Sequence, residues 1–342
     1  MTATITTRVL SGFDDPSFGP TQWERLLATG PTNAVFLTHE WQSAWWKAFG
    51  RGELLLIAVE RDGEIVALAP LFTEAGMVYF VGSGGSDYLD FIGDISEPEV
   101  LDALLLAARE RVAGFLGFVF YHVPDKSPTG RLLNEAAARL GLRIFDEGDQ
   151  SAPTLEFTAD KSNAVAAANK KSLVRHEKFF ARDGTLKVQH FRTSAEMLPH
   201  LDEFFEQHIA RWASTPSPSL FNDPAQRNFY RLLTETAADA GWLRFTRVQW
   251  QVRAIAFHFG FSRRGDFMWY KPSFAVDLAR HSPGEVLLRQ LLFAAIEEGA
   301  REFDFGLGDE AFKSRFATKV NRVRNWGLYP PAAVTHHESR TT

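Results

Sequence analysis

The sequence predicts a mixed α/β fold, α+β in its sheets, built from two successive halves of similar order. Three observations carry that expectation. Apolar runs of strand length alternate with longer amphipathic segments along the chain. Both halves show the same succession of hairpin, third strand, helix, strand, helix and strand. The 342 residues suit two domains of roughly 150 to 170 residues each. The expected divisions are a first domain over 1–158, a basic linker helix over 159–185, a second domain over 186–330 and a tail over 331–342.

Composition narrows the class. Hydrophobic residues make up 45% and charged residues 23% of the chain, enough for a sizeable core in each half. A net charge of −5 argues against DNA or any nucleic acid coating the whole surface, though a local basic patch stays open. The absence of cysteine removes disulfides, thiolate metal sites and cysteine nucleophiles together. The opening MTATITTRVLSGFDD has no basic region followed by an apolar stretch, and no apolar run is long enough to span a bilayer. The expectation is a cytoplasmic protein without membrane insertion, a monomer or a homodimer.

In order, ITTRVL reads as a strand and Trp23 to Leu27 as a short helix. Thr38 caps a helix whose Trp41, Trp45 and Phe49 recur at helical spacing, an aromatic face for the core. LLLIAVERDGEIVALAPLF is a hairpin turning at Asp62-Gly63. Met77 to Val81 gives a third strand, followed by the glycine-rich GSGGSDYLDFIG. No lysine or P-loop spacing accompanies that loop, so it is either a turn or a substrate-contacting segment presenting Asp87 and Tyr88. A helix over 98–113, a strand over 115–121, a helix from Ser127 to Leu140 and strands over 142–146 and 154–158 complete the half.

The segment 160–186 is helical by its alanines, and Lys171, Arg175, Lys178 and Arg182 share one face. That face is either solvated or an anion site. The second half then runs through a helix over about 196–212 and another from Pro224, strands over 242–250, 253–261 and 266–271, and a last strand near Val323–Tyr329. Between them stands FMWYKPSFAVDLARHSPGEVLLRQLLFAAIEEGAREFDFGLGDEAFKSRF. Here Ser282 is a candidate cap, Pro283 a first helical residue and Glu285 the partner in an S-x-x-E box. The helix stops at Gly299, the short strand ending in Asp304 is buried, and a helix bearing Lys313 and Arg315 is expected after Gly308.

SPG at 282–284, FDFGLGDEAFKSRF at 303–316 and QHIARW at 207–212 resemble the acetyltransferase-like family named for cellulose biosynthesis (CelD/BcsL). That family is related to the Fem-type aminoacyltransferases, and both lie within the Gcn5-related N-acyltransferases (GNAT). The resemblance implies two tandem GNAT-like domains joined by the basic helix. It implies acyl transfer to an amine of a small molecule or a sugar or cell-envelope precursor, with acetyl-CoA or another acyl-CoA as donor and no metal. An aminoacyl-tRNA donor, or a catalytically silent partner in a biosynthetic assembly, are the alternatives. It further implies His208, Asp304 and Lys313 as catalytic residues. Ser282, Gly284, Glu285, Lys313 and Arg315 would hold the donor, and Asp87, Tyr88, Arg175, Arg211 and Tyr270 the acceptor.

The pattern departs from the family in one place. Arg280 to Glu285 is not the usual glycine-rich diphosphate run, Pro283 removes a backbone donor, and Glu285 adds negative charge. His336-His337 has no zinc-ligand spacing, and neither a G-x-S-x-G elbow nor a dinucleotide fingerprint is present.

Overall fold

A computed structural model describes residues 5–213, 215–237 and 239–331. In chain order the elements begin β1 (Ile5–Leu10), α1 (Pro20–Thr29), α2 (His39–Phe49), β2 (Glu53–Arg61), β3 (Glu64–Glu74), β4 (Met77–Phe80) and β5 (Ile92–Gly93). They continue α3 (Pro98–Arg111), β6 (Gly117–Pro124), α4 (Thr129–Leu140), β7 (Arg143–Glu156), α5 (Ser162–Ala168), α6 (Lys171–Arg182) and β8 (Leu186–Phe191). The remainder are α7 (Ser194–Met197), α8 (Leu201–Trp212), α9 (Pro224–Ala237), β9 (Leu243–Trp250), β10 (Arg253–Arg263), β11 (Asp266–Phe274), α10 (Pro283–Glu297), β12 (Glu302–Asp304) and β13 (Lys319–Tyr329). Among the described residues no helix is long and apolar enough to cross a membrane.

The described residues form two compact units, one of 5–151 with 321–331, the other within 152–320. In the first, β1 to β4 form antiparallel pairs and β4 then pairs in parallel with β6 across the α3 crossover. In the second, β8 to β11 form antiparallel pairs and β11 pairs in parallel with β12 across α10. The two units thus repeat one topology, four antiparallel strands and a helix crossover to a parallel fifth. Each gains one more antiparallel strand: β13 on β6 in the first, and the end of β7 on β12 in the second. This is a mixed α/β fold.

Local chemistry accounts for the elements. The Thr38 hydroxyl accepts the Trp41 N–H, and Asp62 and Gly63 both take positive φ in the β2–β3 turn, where Asp-Gly is favoured. Trp41 and Trp45 are buried, as their spacing requires. In the second unit α10 is apolar almost all round because it is covered on two sides. It packs on β10 and β11 beneath and on α5 and α6 above. Val286, Leu287, Leu291 and Leu292 join Phe267, Phe303 and Phe305 in one core, each such side chain contributing about 1.5–3 kcal/mol on burial.

Several expected elements are drawn differently. The strands expected over 142–146 and 154–158 are one strand, β7. The basic segment is two helices, interrupted at Asn169–Lys170, and α6 packs within the second unit through Leu173 and Phe180. The helix over 196–212 is divided by a 3-10 turn at Leu198–His200, where Pro199 stands at a helix start. The helix expected to bear Lys313 and Arg315 is a single 3-10 turn, Lys313–Arg315. His336-His337 lies outside the described residues.

Candidate active site

The site begins where two parallel strands part. β12 accompanies β11 only from Asp266 to Met268, then stops at Asp304, while β11 runs on to Phe274 beside β10 alone. At the parting point β11 is bulged: Phe259 opposes Lys271 and Phe261 opposes Met268, so Trp269 and Tyr270 share one residue, Gly260, across the ladder. The Tyr270 N–H donates to His258 Nε2 at 3.2 Å. A Cβ on Gly260 would fall 2.1 Å from the His258 ring, so glycine there makes room for the ring that supports the bulge. Burial drives the His258 pKa down to about 3, so the ring is neutral near pH 7.

A cleft of about 200 Å³ opens beyond the bulge. Its walls include Trp269, Pro272 and Phe274 of β11, Ser282, Gly284, Glu285 and Leu288 at the start of α10, and Phe312 and Phe316 of the following segment. Arg211 of α8 reaches into it.

The start of α10 corrects the expected capping box. Ser282 has φ of 52°, in the left-handed region, and its side chain caps nothing. Its carbonyl instead receives the N–H groups of Glu285 and Val286 at 2.9 and 3.4 Å. Gly284 keeps an N–H with no partner among the described residues, and the residue lines the cleft beside Phe274. The Glu285 carboxylate pairs with Arg315 at 2.8 Å and lies 3.6 Å from His176 of α6. The negative charge that would oppose a diphosphate is therefore largely answered by Arg315, which also binds Ser172 Oγ.

Asp304 and Lys313 meet at one turn. An Asp304 oxygen accepts the Gly306 N–H at 2.8 Å, while Lys313 Nζ donates to the carbonyls of Leu307 at 2.7 Å and Gly306 at 3.4 Å. Lys313 also pairs with Glu310 at 2.7 Å, and its side chain is only 4% exposed. Its ammonium is thus committed inside the 306–310 loop.

His208 stands apart from that turn. Its Nδ1 is 2.8 Å from Ser219 Oγ, and its ring is packed among Trp212, Phe204 and Phe221. Burial first, then the cations of Lys271 and Arg211, lower its pKa to about 3. One turn along α8, Arg211 donates to the Pro272 carbonyl at 2.7 Å and lies over the Phe274 ring at 4.6 Å. Tyr270 is buried against Phe261 with the Lys271 ammonium 4.0 Å from its ring centre. If His208 holds its helix in place rather than moving protons, His208→Asn should keep most activity, because the amide can replace Nδ1 toward Ser219. His208→Ala should lose roughly 10-fold or more. Comparing kcat of the two variants checks this; equal loss in both assigns proton transfer to the ring.

The other expected contacts lie elsewhere. Arg175 lines an open groove of about 650 Å³ along α6 with Lys171, Lys178, Phe179 and Arg182. Asp87 and Tyr88 belong to the glycine loop of the first unit, which is built into its core: Ser86 Oγ accepts the Trp41 indole N–H at 2.9 Å. The buried Asp90 carboxyl accepts hydroxyls of Thr32 and Thr129 at 2.7 and 2.6 Å. Burial pushes that carboxyl's pKa up, against the pull of these bonds. Sequence reasoning missed His258, Gly260, Trp269 and Phe274. A glycine inside AIAFHFGFSR was the one available signal.

Residues 167–314 match the family model described as acetyltransferase (GNAT) domain. No curated protein matches the sequence. Among solved structures, FemX is similar with a TM-score of 0.66 at 13% identity, over 91% of this chain and 96% of that one. A conserved protein of unknown function from Bacteroides thetaiotaomicron VPI-5482 reaches 0.61 at 11% identity, over 91% and 97% of the two chains. A tandem GNAT protein from the clavulanic acid biosynthesis pathway reaches 0.55 at 11%, over 96% and 99%. The fold is therefore shared with FemX and with tandem GNAT proteins, and all the named cleft residues but Phe316 fall within the segment that matches the GNAT model.

Proposed function

We propose that this chain is an acyltransferase acting on an amine, with an acyl-CoA as donor and the cleft of the second unit as its site. The supporting observation is the parting of β11 from β12 beside the start of α10. The edge of β11 that β12 leaves, Gly284 in the first turn of α10 and the field of that helix N-terminus border one cavity. In the reaction the amine nitrogen attacks the thioester carbonyl carbon. A C–N bond forms, the C–S bond breaks, and the thiolate leaves with the proton the amine gives up. We assign proton acceptance to Asp304, at the end of β12 where the cleft begins, and positioning to His208 and Lys313. Ser282, Gly284, Glu285 and Arg315 would border the donor. On SPG, QHIARW and FDFGLGDEAFKSRF we place the chain with the CelD/BcsL-like family.

Acetyl-CoA at about 100 times its Kd should stabilise the fold by about 2.7 kcal/mol, roughly 5 °C in Tm. Gly284→Leu should abolish that shift, since even a Cβ at 284 would stand 3.2 Å from Phe274 Cδ1 and the rest of the side chain would fill the cleft. Absence of any shift in the parent protein, with several acyl-CoA donors, would refute the reading.

One feature favours a second donor, an aminoacyl-tRNA. Lys171, Arg175 and Lys178 have no ion pair among the described residues and lie on one face of α6. Loss of transfer activity on ribonuclease treatment would identify it.

A further inference from the structure

We infer that Arg211 makes the cleft selective for a substrate carrying a carboxylate, borne either by the acyl group or by the amine acceptor. The inference rests on the acyltransferase reading of the cleft and adds to it the chemistry of what is bound.

Arg211 is half-buried, and burial lowers its pKa, partly countered by the charge of Glu310. Among the described residues no carboxylate lies within ion-pair distance of it, although nearly every other arginine that is comparably covered, Arg244, Arg247 and Arg289 among them, has one. Its one hydrogen bond goes from Nη1 to the Pro272 carbonyl, and its plane is held by Phe274 at 4.6 Å and Trp212 at 5.2 Å. The guanidinium is thus fixed in orientation, partly stripped of water and short of an anion, a costly state without a bound partner. Its remaining N–H groups form a planar fork, the match for a carboxylate. Trp269, Phe274, Phe312 and Phe316 give the cleft apolar walls, and the Glu285 carboxylate that also lines it is paired with Arg315, so a single carboxylate on an apolar body fits.

The experiment uses the full chain with two arms. In the donor arm, succinyl-CoA is compared with acetyl-CoA in binding and in transfer to a neutral-bodied amine. In the acceptor arm, acetyl transfer to phenylalanine is compared with transfer to phenylalaninamide. One arm should show a preference of roughly 10- to 100-fold for the carboxylate, the scale of a charged bidentate bond. Arg211→Gln should bring that ratio close to one while acetyl-CoA binding stays within about threefold. Arg211→Lys, which keeps the charge and loses the fork, should fall between, and it guards against a glutamine variant that does not fold. No preference in either arm, with acetyl transfer intact, overturns the inference and leaves the acyltransferase reading standing. An Arg211→Gln variant that folds but loses acetyl-CoA itself also overturns it, because Arg211 would then serve the donor's phosphates. Failure to bind any acyl-CoA removes both.

Discussion

Between pH 6.5 and pH 5 His208 and His258 together are expected to remove about 3 kcal/mol of stability from the folded protein, against the opposite pull of the buried Asp90 carboxyl. Both rings are enclosed, and burial is the first cause that lowers each pKa from 6.5 to about 3. In the unfolded chain they titrate near 6.5, so as pH falls the unfolded state takes up protons that the folded state refuses. Stability is then present in full above pH 6.5 and declines as pH falls toward 3. Each histidine contributes between about 1 and 2 kcal/mol over this window. His190, His200 and His176, less enclosed, are also held below their ordinary values by burial and add to the slope. The informative quantity is therefore a difference between variants. Urea midpoints measured at half-unit steps should give a shallower pH slope for His208→Asn and for His258→Asn, and the shallowest for the double variant. An unchanged slope in both single variants would mean that these rings are hydrated in solution.

The parts of this fold legible in the sequence are those decided by neighbours along the chain. The Thr38 cap, the Asp62-Gly63 turn, the aromatic face of α2 and the apolar run of α10 depend on residues within a turn or two of each other. The repeat of two units is legible for the same reason, since it is an order of local elements. What could not be read is what pairing decides. S-x-x-E at Ser282 has the letters of a capping box, yet Arg315, thirty residues on, claims the Glu285 carboxylate. The bulge at Trp269 and Tyr270 follows from register with β10 and from the His258 ring, and only Gly260 hints at it. His208 and Arg211 stand out together in QHIARW. One proves enclosed among aromatic rings and the other lines the cleft, a distinction that i, i+3 spacing cannot make.

Replacing Lys313 with methionine is expected to destabilise the second unit by about 3 kcal/mol and to spoil the cleft at the same time. The sequence places Lys313 beside donor phosphates, where its loss would weaken binding most at low salt. The structure instead gives its ammonium three oxygens of its own loop: the carbonyls of Leu307 and Gly306 and the carboxylate of Glu310. Methionine fills a similar volume but donates to none of them; stranded acceptors cost about 1–3 kcal/mol, and the half-exposed Glu310 carboxylate loses its enclosed partner as well. The loop it ties down spans Gly308, at φ of 112°, and leads directly to Phe312, a wall of the cleft. Asp304 is anchored to the same turn through the Gly306 N–H. Loosening that turn should therefore lower kcat as well as Tm, and both losses should depend little on salt, because the ammonium is enclosed and two of its three partners are backbone carbonyls. Keeping the charge with arginine is no remedy, since a guanidinium is too large for a site only an ammonium fills; Lys313→Arg should be destabilised too. Urea midpoints and steady-state kinetics at about 0.02 M and 0.5 M salt decide the matter. Should Lys313→Met keep its stability and lose only donor affinity, more strongly at low salt, the ammonium turns outward to a phosphate in solution and the positioning role is wrong.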